Sequence, residues 1–170
     1  MKSTLTKNES NDNNNLPHIN ILLADDDQAD CLLFQDAIEE LPVSVQLTIV
    51  NNGEQVIDEL TRKGNKLPDV LFLDLNMPRK TGLATLGHIK RSDELQKLPV
   101  IIFSTASDIE TVKKVFRNAA HYYISKPADF VQLKKVIYEA ITLITQQNVP
   151  LPGEEMFIIT GDSVIITDKK

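Results

Sequence analysis

Tryptophan is absent from this chain of 170 residues, cysteine occurs once and aromatic residues make up only 5% of the sequence. A single cysteine, Cys31, excludes an internal disulfide. It lies in a helical pattern with Leu32, Leu33 and Phe34, where an unpaired cysteine behaves as a core residue. His18, His88 and His121 are widely spaced and have no cysteine or carboxylate partner at metal-ligand intervals, which argues against zinc. None of the three is well placed as a phosphodonor, so a kinase is not expected. No apolar run approaches the ~20 residues of a membrane helix. The start, Met1-Lys2-Ser3-Thr4-Leu5-Thr6, lacks a signal-peptide apolar core, so a cytoplasmic location is expected. Positive charge is in deficit, with a net charge of -6, which argues against a nucleic-acid surface. No G-x-x-x-x-G-K-S/T occurs, which removes a P-loop enzyme. What is present is 42% hydrophobic and 25% charged sequence, sufficient for one folded domain with a short extension at each end.

Three segments are expected. Residues 1–17 are polar and asparagine-rich and read as a disordered leader. Residues 18–148 alternate between strand-like and helix-like stretches. The strands are expected at 19–24, 45–50, 69–74, 98–103 and 122–125, several nearly all apolar, as in strands covered on both faces. The helices are expected at 28–41, 53–63, 82–92, 108–118 and 129–147. Ser107 with Glu110 makes a capping box, and Asp129 with Gln132 resembles one. Five such units make an α/β fold with a doubly wound five-stranded parallel sheet and helices on both faces. Residues 149–170 form an extension. Val149-Pro150-Leu151-Pro152-Gly153 ends the last helix, and Gly161-Asp162 joins two β-rich runs, 155–160 and 163–167, into a C-terminal β-hairpin. Both faces of that ribbon are apolar, so it packs on its own domain or pairs with a second copy as a homodimer.

The chemistry gathers where the strands end. Val70-Leu71-Phe72-Leu73 leads into Asp74, Ile19 to Ala24 leads into Asp25-Asp26-Asp27, Val100 to Phe103 leads into Ser104-Thr105, and Tyr122 to Ser125 leads into Lys126-Pro127. In open α/β sheets, ligands bind outside the carboxyl ends of the strands. If the first and third strands are neighbours, Asp25, Asp26 and Asp74 converge, and their repulsion calls for a cation. Mg²⁺ suits a site with few protein oxygen ligands that keeps water. With the Lys126 ammonium and the Ser104 hydroxyl, the set can clamp a phosphoryl group. Asp74 stands alone at a strand end and is the better nucleophile, whereas the Asp25-Asp26 pair is better placed to hold metal. A helix N-cap explains Asp27 on its own. A surface lysine before a helix would explain Lys126 on its own. The combination is what is specific.

These residues carry a resemblance. Ile21 to Asp27, Leu71-Phe72-Leu73-Asp74-Leu75-Asn76-Met77-Pro78, Gly82-Leu83, Pro99 to Ala106 and Ser125-Lys126-Pro127 resemble, in order and spacing, a response-regulator receiver domain of two-component signalling, the CheY-like family. The resemblance covers roughly residues 19–147 and implies the strand order 2-1-3-4-5. It implies Asp74 as phosphoacceptor and Asp26 as a direct Mg²⁺ ligand, with Asp25 binding largely through water and the Asn76 carbonyl adding a ligand. It implies that Lys126 contacts the phosphoryl group, that the Ser104 hydroxyl moves to bond it and that Tyr123 follows inward. Thr105 is the alternative hydroxyl. The family usually has threonine at the position of Ser104, and the stretch from Asp26 to Asp74 is a few residues longer than usual, around Lys63-Gly64-Asn65. In the family, the residues at Asn76 and Ala106 tune the lifetime of the phosphorylated state. The readout would be the face of the fourth helix, fifth strand and fifth helix. Lys113, Lys114, Arg117, Lys134 and Lys135 lie in those helices and read first as a solvated face.

The expected function is a stand-alone response regulator. It would take its phosphoryl group from a sensor histidine kinase or histidine phosphotransfer protein and pass the signal to a downstream protein. It would not be an enzyme beyond its own phosphorylation and dephosphorylation. A receiver-like module that works without phosphorylation is the alternative. An Mg²⁺-dependent aspartyl-phosphate hydrolase is less favoured, because Asn76 stands where such enzymes need a general acid.

Overall fold

The structure is a computed structural model that describes residues 18–146 and 151–160. The expected leader, the hairpin turn and the second hairpin arm lie outside these residues. Five strands alternate with five helices: β1 His18–Ala24, α1 Gln28–Glu39, β2 Ser44–Val50, α2 Gly53–Thr61, β3 Val70–Leu73, α3 Gly82–Arg91, β4 Val100–Ser104, α4 Ile109–Arg117, β5 Tyr122–Ser125 and α5 Phe130–Thr145. A sixth strand, β6, spans Ile158–Ile159. All pairings are parallel, in the order β2-β1-β3-β4-β5-β6.

Side chains of successive strand residues point to opposite faces, so each buried strand feeds two cores. On one face Ile21, Leu23, Phe72, Ile101 and Phe103 meet α1 and α5 through Phe34, Ala37, Val136 and Ile137. Phe34 stacks edge-on against Phe72 at 5.0 Å and against Phe103 at 5.6 Å. Cys31 joins this core, and burial with the nearby Asp25 charge pushes its thiol up to about 11, leaving it unreactive as a nucleophile. On the other face Leu22, Leu71, Leu73, Val100 and Ile102 meet α2 and α3 through Val56, Leu60, Leu86 and Ile89. β2 lies at the sheet edge, which is why its burial alternates while β3 and β4 are buried throughout.

Each helix from α1 to α5 starts on a side-chain cap. Asp27, Asn52, Thr81, Asp108 and Asp129 accept backbone N–H bonds from the first turns of α1 to α5. The cap of α4 is therefore Asp108, which accepts from Thr111 N at 2.9 Å, and not Ser107 as the capping-box pattern predicts. Aspartate one residue later wins because its carboxylate is charged and meets the positive helix end.

The chain end departs furthest from expectation. Beyond the five expected strands, the described residues add a sixth to the sheet. Glu154–Met156 form a turn of 3-10 helix, and only Ile158–Ile159 of the expected 155–160 arm are strand. They pair parallel to β5, with Tyr123 opposite Ile158, and Tyr123 N donates to Phe157 O at 2.9 Å. The cause is Phe157. It is 1% exposed and packs edge-on against Phe116 of α4 at 5.2 Å, while Ile158 remains 50% exposed. One deeply buried aromatic sets the register of the segment, so its first arm packs against its own domain.

Candidate phosphoryl and metal site

Asp25, Asp74 and Lys126 each lie just beyond the end of a strand, and the backbone of the neighbouring strand fixes them there. Asp25 N donates to Val50 O at 3.0 Å, Asp74 N to Ala24 O at 2.9 Å and Lys126 N to Ser104 O at 2.9 Å. β1 and β3 are neighbours, and this brings Asp25, Asp26 and Asp74 together, with one carboxylate oxygen of each within 4.8 Å of the others. Asp25 and Asp74 are buried, and Asp26 is exposed.

Gly82 makes this spacing possible. A Cβ at that position would lie 2.0 Å from Asp74 O and 2.7 Å from the Leu75 Cα, so only glycine lets α3 start this close to the loop after β3.

Lys126 reaches in from beyond β5. Its Nζ donates to Asp25 Oδ2 and to Asp30 Oδ2, both at 2.7 Å, and stands 3.9 Å from Asp74 Oδ2. Burial works against its charge, but the bonds to Asp25 and Asp30, with the Asp74 charge, hold its pKa above the usual lysine value. Asp25 moves up instead. Burial raises its pKa, and the bonds from Lys126 and from Asp27 N only partly offset that. A carboxylate that is costly to ionise beside two others fits a divalent cation, whose charge would relieve the repulsion. The donor set is all oxygen, as Mg²⁺ or Mn²⁺ requires, so the residues present suit such an ion.

Ser104 ends β4 fully buried, whereas Thr105 is exposed. The Ser104 hydroxyl accepts from Ala106 N at 3.4 Å. Tyr123 is 1% exposed, and its hydroxyl donates to Ala106 O. Burial, followed by the Asp108 and Asp74 charges, pushes the phenol up to about 12, so it stays a donor. Asn76 lies exposed two residues beyond Asp74. Of the five basic residues of α4 and α5, Lys134 pairs with Glu40 at 2.5 Å, and Lys114, Arg117 and Lys135 are exposed. Phe157 covers part of that face by packing on Phe116 and, at 6.4 Å, on Tyr123.

Sequence reasoning missed Asp30. Its signal was its place in the first turn of α1, directly after the strand-end run Asp25-Asp26-Asp27.

The comparisons with known proteins agree with this geometry. The response regulator receiver domain family matches residues 21–138. The probable methanogenesis regulatory protein FilR2 of Methanothrix harundinacea is 30% identical over 122 residues, 70% of this chain and 79% of that protein. Response regulator Rcp1 of Synechocystis sp. is 27% identical over 146 residues, 84% of this chain and 98% of its own. The solved Mn²⁺-bound form of Rcp1 superposes with a TM-score of 0.66, covering 79% of this chain and 99% of that one. The phosphorylated cyanobacterial phytochrome response regulator RcpA superposes with a TM-score of 0.68 at 29% identity, covering 80% of this chain and 99% of that one. Receiver domains are signalling phosphoacceptors that bind a divalent metal and take phosphoryl groups from histidine kinases. By the span of the family match, the converging carboxylates and the strand order, this chain belongs to the response regulator receiver domain family.

Proposed function

We propose that this chain is a phosphorylation-controlled signalling module that accepts a phosphoryl group on Asp74. The observation that carries the reading is the convergence of Asp25, Asp26 and Asp74 within 4.8 Å, with Lys126 Nζ 3.9 Å from Asp74. The donor is a phosphohistidine on a sensor kinase or phosphotransfer protein. The Asp74 carboxylate attacks phosphorus, a P–O bond forms, the P–N bond breaks and imidazole leaves. Asp25, Asp26 and Asp74, with the Asn76 carbonyl, would hold Mg²⁺, which supplies charge stabilisation for the transferring group. Lys126 neutralises the phosphoryl oxygens. The buried Ser104 hydroxyl turns toward them, and Tyr123 holds the inward position beside Ala106 O.

A phosphoryl group adds about -1.5 to -2 charges and three acceptor oxygens. Drawing Lys126 and Ser104 toward them pulls the loops after β4 and β5. Tyr123 and the α4–β5–α5 face would then carry the signal to a downstream protein. RcpA is a phytochrome response regulator, which makes a phytochrome-coupled histidine kinase the first donor class to test.

The test is incubation with Mg²⁺ and acetyl phosphate. The expected result is a hydroxylamine-sensitive phosphoryl adduct in the wild-type chain that is absent from Asp74→Ala and from chelated samples. Equal adduct on Asp74→Ala overturns the reading and favours a module that binds partners without phosphorylation.

A further inference from the structure

An ammonium group has three N–H donors. In Lys126 two of them are engaged on the α1 side of the site, at Asp25 Oδ2 and Asp30 Oδ2, 2.7 Å each. Asp74 Oδ2 lies beyond hydrogen-bond reach at 3.9 Å. Asp25 belongs to the converging carboxylates, but Asp30 does not. The backbone of Asp30 is tied into the first turn of α1, where its N donates to Asp27 Oδ1 at 3.2 Å. The Lys126 side chain is only 9% exposed, and its Nζ lies 5.5 Å from the Phe103 ring centroid, so its choice of partners is narrow.

We propose that Asp30 is a positioning residue that holds the Lys126 ammonium on the α1 side and competes with a phosphoryl group on Asp74 for it. The inference rests on the reading of Asp74 as phosphoacceptor. Two of its three N–H groups are held at 2.7 Å on the α1 side, so a shift of Nζ toward phosphoryl oxygens on Asp74 stretches one of these two short bonds. Asp25 is the harder partner to leave, since it is 1% exposed and its burial leaves it most in need of the cation. The Asp30 side chain is 33% exposed, so water can replace the lysine there. Lys126 therefore swings from Asp30 to the phosphoryl group, and the strength of the Asp30 bond sets how firmly the phosphorylated state is held. Asp30 thus tunes the lifetime of that state through Lys126 and touches neither the phosphoryl group nor the metal.

The test is calorimetric titration of the full chain with beryllofluoride, a phosphoryl mimic, at saturating Mg²⁺. Asp30→Asn keeps the shape and removes the competing charge. It should bind beryllofluoride roughly two- to fivefold more tightly, the range of a partly exposed charge pair. Its acetyl-phosphate-derived adduct should decay more slowly by a similar factor. Asp30→Glu, which restores a carboxylate, should return both values toward wild type. Asp27→Asn removes the same charge one turn edge away without touching the lysine, and should shift binding by less than about twofold. Unchanged or weaker binding in Asp30→Asn overturns the inference, as does an equal gain in Asp27→Asn. A wild-type chain that takes up no beryllofluoride overturns the phosphoacceptor reading, and this inference falls with it.

Discussion

His121 shows how one side chain can set the acid limit of a fold. Its Nδ1 accepts a hydrogen bond from Val100 N at 3.2 Å, which requires a lone pair on that nitrogen. Burial, with the Lys90 ammonium nearby, lowers its pKa from 6.5 to about 4. Lys90 is itself lowered by burial to about 8 while it donates to Gln96 O and Leu98 O. Between pH 6.5 and about 4 the unfolded chain binds a proton at His121 that the folded chain refuses. Stability is therefore full above this window and declines as pH falls through it. His121→Gln keeps an acceptor and removes the titration. Urea midpoints at neutral pH and near the acid end of the window should converge in His121→Gln and stay apart in wild type. From the sequence this histidine is weighed as a zinc ligand and as a phosphodonor and set aside as both, since spacing reports ligand sets and not a single backbone contact.

At the scale of elements, the pairing of β6 with β5 is what sequence patterning missed. Glycine-aspartate between two apolar runs is a strong local hairpin signal. It is silent about what Phe157 will bury against, because Phe116 and Tyr123 lie 41 and 34 residues away in the chain. The other strands were legible for the opposite reason. Apolar runs ending in a polar residue mark buried parallel strands without any knowledge of their neighbours. Asp25, Asp26, Asp74, Ser104 and Lys126 were legible as strand-end residues in the same way. Asp30 was not, because its partner enters from the far end of the sheet. Phe157→Ala should cost about 3 kcal/mol, the low end for a buried phenylalanine, since the site is at the sheet edge. Amide hydrogen exchange should locate the loss. Tyr123 N, which donates to Phe157 O, should lose protection while Leu71 N, which donates to Pro99 O at the sheet centre, keeps it.

For the whole molecule, the position of the site has a thermodynamic consequence. Asp25, Asp74 and Lys126 each hang from a backbone bond to an adjacent strand, and Asp25 and Asp74 cannot move apart without opening the sheet. The carboxylates are held at close quarters whether or not a cation is present. In chelated buffer their repulsion opposes folding, and Mg²⁺ should stabilise the fold by mass action, by about 2.7 kcal/mol at a hundredfold excess over Kd, and so raise the melting temperature. Asp26→Asn should melt higher than wild type in chelator and lose most of the response to Mg²⁺. Equal melting of the two chains in chelator would show that the exposed Asp26 charge is already screened. The sheet thus keeps its carboxylate end in a loaded state, trading some stability for a cluster that would need no rearrangement to take a divalent ion.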